Sequence, residues 1–68
     1  MSEFVVFASK GIVTIVPAHE CIIFQKNNVL QLKLKGDDTI HICDKIVGCS
    51  SIVNAVERFS VFVERYSS

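Results

Sequence analysis

These 68 residues contain no tryptophan, one proline (Pro17), three glycines and one tyrosine. With so little proline and glycine there is no linker, repeat or low-complexity tract, and the length allows one domain, residues 1–68. Charge of one sign is lacking too. Seven Lys and Arg offset seven Asp and Glu, so whole-molecule charge argues for neither nucleic acid nor an acidic partner. The longest unbroken apolar stretch, Phe4 to Ala8, falls far short of the roughly 20 residues that cross a bilayer. Met1-Ser2-Glu3-Phe4 lacks the basic leader of a signal peptide, so cytoplasmic residence without a membrane is the expectation. Three cysteines, an odd number, fit reduced thiols better than a disulfide framework. No G-x-S-x-G, P-loop, G-x-G-x-x-G or H-E-x-x-H occurs, and the adjacent Asp37 and Asp38 sit in a turn. No enzyme and no cofactor are expected.

Apolar character is what the chain has in excess. Half the residues are hydrophobic, and mean hydropathy is +0.44. That is more than one small core can hide, and the surplus points to self-association or a partner surface.

The pattern is β-type over most of the length. Glu3 to Ser9 is an apolar run, Lys10-Gly11 a turn, and Ile12 to Val16 a β-branched run closed by Pro17. Glu20 to Lys26 follows, then Asn27-Asn28, a pair that tolerates the left-handed backbone of a tight hairpin. In Val29 to Lys35, Leu30, Leu32 and Leu34 alternate with Gln31, Lys33 and Lys35, the mark of a half-buried antiparallel strand. Gly36-Asp37-Asp38 turns the chain into Thr39 to Cys43. After Gly48 the period changes. Ile52, Ala55, Val56, Phe59, Phe62, Val63 and Tyr66 make one apolar helical face, with Ser50 or Ser51 as the cap. The fold class expected is α+β: a small antiparallel sheet of four to five strands, meander-like, then one C-terminal amphipathic helix packed on one face. One helix cannot cover both faces of the first two strands, which argues for a second copy of the chain.

Two His-x-Cys pairs, His19-Glu20-Cys21 and His41-Ile42-Cys43, stand on strand-like segments. With Leu30, Leu32, Leu34, Ile40, Ile42, Ile22 and Phe24 turned to the helix, all four His and Cys side chains fall on the opposite face. Tetrahedral zinc accepts such a donor set. In a meander, however, strands two apart lie roughly 9 to 10 Å from each other, too far for one intrachain ion. The plainer reading has these cysteines as small hydrophobes. Cys49, just before the helix, reads as a structural thiol, since no base or oxyanion pocket is identified beside it. Lys26, Lys33 and Lys35 form a mild basic strip that phosphates would use, but few aromatics accompany it for base stacking.

From Ile12 to Phe62 the chain loosely resembles the first half of a LytTR-type DNA-binding domain. The likeness lies in Ile15-Val16-Pro17, Ile22-Ile23-Phe24, Leu30-Gln31-Leu32, the Gly36-Asp37 turn and a helix before Phe59. It would imply transcriptional regulation, although the basic and polar loops that read DNA are not evident.

The expectation is therefore a non-enzymatic protein-binding module, acting as regulator, inhibitor or assembly adaptor and working as a homodimer. Its expected surface comprises Phe4, Val6, Ile12, Val16, Val53 and Val61. The alternatives are a nucleic-acid-binding regulator using the lysine strip and a zinc protein using the His and Cys residues. Nothing in the residues identifies the partner protein.

Overall fold

In the computed structural model, which describes residues 2–67, six antiparallel strands form two three-stranded sheets and are followed by one helix. The strands are β1 (Phe4–Ser9), β2 (Ile12–Pro17), β3 (Cys21–Lys26), β4 (Val29–Leu34), β5 (Ile40–Ile42) and β6 (Lys45–Cys49). The helix α1 spans Ile52–Tyr66, and a single 3₁₀ turn at Ala18–Glu20 joins β2 to β3. The α+β order is the one expected, but β6 is an addition. The first sheet runs β2-β1-β6 and the second β3-β4-β5.

Tight hairpins fix the registers. Lys10 and Gly11 (φ 53° and 78°), and Asn27 and Asn28 (φ 53° and 63°), both take the left-handed backbone that matches the twist of the flanking strands. A larger device joins the sheets. Cys43 N–H donates to Leu30 O in the second sheet at 2.9 Å, whereas Asp44 N–H donates to Ala8 O in the first at 2.8 Å. The chain therefore changes sheets between two consecutive residues, and the buried Ser9 hydroxyl clamps this corner by donating to Ile42 O at 2.7 Å.

Three layers result: helix, first sheet, second sheet. Strand β1 alternates between two cores and is buried on both sides. Val6 and Ala8 join Cys49, Ala55 and Phe62 beneath the helix, with Phe4, Val13, Ile15, Val47, Phe59 and Tyr66 around them. Val5 and Phe7 point the other way and join Val16, Leu32 and Cys43, flanked by Ala18, Cys21, Leu34 and Ile46. The opposite face of the first strands is thus covered by the second sheet of the same chain, not by the second copy the sequence suggested. Helix α1 is capped as expected, Ser51 Oγ accepting from Asn54 N–H at 3.2 Å.

The second sheet is turned over relative to expectation. Directly opposed residues of an antiparallel pair share a face. Lys26 pairs with Val29 across the two-residue turn, so Ile23 meets Leu32 and Ile22 meets Lys33. On the other side Leu32 meets His41 and Lys33 meets Ile40. A symmetric three-residue turn at Gly36-Asp37-Asp38 would have matched Leu32 with Ile42, and the observed register differs by one residue. One residue of slip moves every side chain of a strand to the other face. Leu32 and Leu34 consequently pack on the back of the first sheet rather than on the helix, with Cys21 and Cys43 beside them.

Candidate functional site

The turned-over sheet decides what is exposed. Its outer face carries two cross-strand rows, Ile22–Lys33–Ile40 and Phe24–Gln31–Ile42, followed by Lys26–Val29. Ile22 (49%), Ile40 (44%), Ile42 (54%) and Val29 (38%) are exposed, and Phe24 is half-buried. No described element packs over these rows. Apolar side chains thus form two flanking columns, on β3 and β5, about a polar central column of Gln31 and Lys33. The Lys33 ammonium lies 3.7 Å from an Asp38 carboxylate at the rim, a pair too exposed to add much stability.

Three of the four His and Cys candidates, Cys21, His41 and Cys43, go inward, contrary to the outward face they were assigned. His19 is exposed on the 3₁₀ turn, while His41 is half-buried with its ring 5.7 Å from that of Phe7. Cys21 and Cys43 are turned to carbonyls, their Sγ donating to Ala18 O and His41 O, each at 3.5 Å. Burial pushes the Cys43 thiol up to about 11, reinforced by the Asp44 charge. Cys21 is raised by burial as well, against the opposing pull of Lys35. Zinc binds thiolates, which both environments disfavour. Among the described residues no group of three or more His, Cys, Asp or Glu is arranged to hold a metal ion. The four candidates do not assemble into a site. Cys49 is buried under α1 and packs as part of the helix–sheet core. Asp37 is held below the usual carboxylate range because it accepts from Thr39 N–H at 2.9 Å, with His41 and Lys33 adding to the effect. That is turn chemistry.

The residues expected to form a partner surface divide. Val6 and Val16 are core, and Phe4 is half-buried against the helix, so none of these three offers a free face. Ile12, Val53 and Val61 are exposed, Ile12 on the edge strand β2, Val53 on α1 and Val61 on the flank of α1 that faces β6. Of the three lysines, Lys26 and Lys33 share the outer face of the second sheet, and Lys35 is exposed just past the end of β4. The Ile22, Phe24, Ile40 and Ile42 face was missed because Ile22 and Phe24 made the more apolar inward pair and Ile40 and Ile42 were carried inward with Leu30, Leu32 and Leu34 by alternation, against the observed register. The two-residue Asn27-Asn28 turn already carried the signal that Ile23, not Ile22, shares the face of Leu32.

A second opening lies on the far side of the molecule, between β6 and α1. It has a volume of about 530 Å³ and is bounded by Val47, Gly48, Asn54, Glu57, Arg58 and Val61, among others. A Cβ on Gly48 would collide with the Ser2 side chain, which closes one end of this groove.

No protein-family model matches this chain, and no curated protein or solved structure shows significant similarity to it. No described helix is long and apolar enough to cross a membrane.

Proposed function

We propose that this protein is a non-enzymatic protein-binding module that works as a homodimer, in the role of a regulator, inhibitor or assembly adaptor. The observation that carries the reading is the uncovered outer face of β3, β4 and β5, with Ile22, Phe24, Val29, Ile40 and Ile42 on one surface. Apolar patches of this kind on a small domain mark interaction sites.

The dimensions support a small interface. Six residues at about 3.3 Å and three strands at about 4.8 Å give a footprint of roughly 20 by 14 Å. Side-chain relief roughly doubles that area, so a symmetric pair buries on the order of 1,000 Å² in total, the lower bound for a specific interface. Charge selects the symmetry. A two-fold axis parallel to the strands sets Lys33 over its own copy, which like-charge repulsion opposes. An axis across the strands sets Lys33 over Gln31, Ile22 over Phe24 and Ile40 over Ile42. The second arrangement buries the apolar columns and keeps the ammonium groups apart.

Sedimentation at low micromolar concentration tests the reading. The native chain is expected at twice its 7.6 kDa mass, and Ile42→Lys at the monomer mass with an unchanged circular-dichroism spectrum. A native chain that sediments only as the monomer overturns the homodimer.

A further inference from the structure

We infer that the groove between the free edge of β6 and helix α1 is a strand-addition site for an extended peptide that carries an apolar residue beside a carboxylate. The inference rests on the protein-binding reading above and names the chemical class of partner.

Three observations converge on this groove. The sheet order β2-β1-β6 gives β6 a neighbour on one side only, so its outward N–H and C=O groups face no described strand. Such an edge is complementary to one kind of object, another extended backbone. Second, α1 packs mainly over β1 and β2 and touches β6 through Cys49 and Val47, which leaves space beside the outer edge of β6 and makes the helix the opposite wall. Asn54, Glu57, Arg58 and Val61 line that wall over eight residues, seven rises of about 1.5 Å or roughly 10 Å. The five residues of β6 extend about 16 Å, so the groove has the length of a four- or five-residue strand.

The third observation is the lining chemistry. Val47 and Val61 face the opening from sheet and helix, a seat for one apolar side chain. Arg58 is exposed beside them and pairs with no carboxylate among the described residues. A guanidinium in that position offers a planar fork to a carboxylate, either an acidic side chain or a chain terminus. Glu57 on the same wall opposes a run of several acids, so one carboxylate suits the site better than a polyanion.

The remaining edges are poorer. β5 is three residues long, and β2 ends in Pro17, which cannot donate to a ladder. The edge of β3 has the length but no helix beside it to supply side-chain contacts. A second copy of this chain on β6 would bring its own α1 and its own Arg58 to the same side, whereas a single strand fits the space.

The test uses the full chain and a displayed library of random peptides about nine residues long, enough to span β6 with flanks. Enriched peptides are resynthesised and titrated with amide chemical shifts and hydrogen exchange as readouts. The expected result is enrichment of an apolar–acidic pair, with new protection confined to Lys45–Cys49. Arg58→Glu and Val61→Glu, both at exposed positions, should each weaken binding about tenfold or more. Ile42→Lys, on the opposite side of the molecule, should leave it unchanged. No enrichment, or indifference to both helix variants, overturns the inference. Peptides that map to the outer face of β3–β5 also overturn it while leaving the protein-binding reading standing. If Ile42→Lys still dimerises through protected β6 amides, the occupant is a second copy and the peptide assignment fails.

Discussion

Leu32→Ala, set against Ile42→Ser, tests which face of the second sheet is inside. Leu32 has no exposed surface and sits among Val5, Phe7, Val16 and Cys43, where β1 and β2 meet β4. Removing its three outer carbons creates a cavity walled by both sheets, and the sheet hydrogen bonds limit how far the walls can close. Buried Leu→Ala changes cost about 2 to 5 kcal/mol, and this central position warrants about 3. A domain of this length has roughly 3 to 10 kcal/mol in total, so the variant sits near the edge of folding. At about 4 to 8 °C per kcal/mol its melting temperature falls by about 12 to 24 °C. Ile42 is 54% exposed on the opposite face of the same sheet, and its replacement by Ser costs about 1 kcal/mol or less. The assay is thermal and urea unfolding by circular dichroism, in solutions dilute enough that association does not contribute. Equal losses for the two variants, or a larger loss for Ile42→Ser, would refute the register and with it the location of the interaction face.

The other predictions concern separate parts of the molecule. An acid whose pKa rises on folding keeps its proton in the folded state over a range where the unfolded chain has lost it. Cys43 goes from an ordinary 9.0 to about 11, so its contribution is complete below about pH 9 and is lost as the pH climbs toward 11. The melting temperature should fall across that range with a shallower slope in Cys43→Ala, and an identical slope would refute the assignment. Ser51→Ala removes the oxygen that accepts from Asn54 N–H. It should cost about 1 kcal/mol, read as a drop of about 4 to 8 °C in melting temperature. No drop would mean the helix start is held by other contacts. On immobilised DNA or RNA at low salt the protein is expected to pass unretained. Retention that falls steeply with salt and disappears in the Lys33→Glu, Lys35→Glu double variant would instead favour the nucleic-acid reading.

The helix and its Ser51 cap were legible from residue spacing, because an apolar stripe of four turns has no strand equivalent. So were the two hairpins, because Lys10-Gly11 and Asn27-Asn28 supply the backbone those turns demand. Strand β6 was not legible, since Gly48 lies inside its five residues and Asp44 precedes it, both of which read as loop. The sheet corner at Cys43–Asp44 left no signature at all. It depends on carbonyls of Leu30 and Ala8, distant in sequence, and on the Ser9 hydroxyl reaching Ile42. The facing of the second sheet lay within reach but was lost to a competing cue. Ile22, Phe24, Ile40 and Ile42 look like core residues, whereas register, set by turn length, places them outside.

That conflict between hydrophobicity and register is itself informative. Three stacked layers enclose two cores, and β1 serves both with every side chain from Val5 to Ser9 buried. The two outermost surfaces differ in composition. Along α1 the exposed Ile52, Val53, Val56, Val61 and Val63 are interspersed with Asn54, Glu57, Arg58, Glu64 and Arg65, which makes a mixed surface. On the outer side of the second sheet, the flanking columns are isoleucine and phenylalanine apart from Lys26 at the end of β3, and Gln31 and Lys33 stand in the centre. Edge strands left alone ordinarily carry charge to discourage pairing and association. Here β3 and β5 present apolar side chains at four of their five outward positions, Lys26 being the exception. The helix surface is thus broken up by charge while the outer sheet face keeps its apolar flanking columns, and the proposed protein-binding surface rests on that contrast.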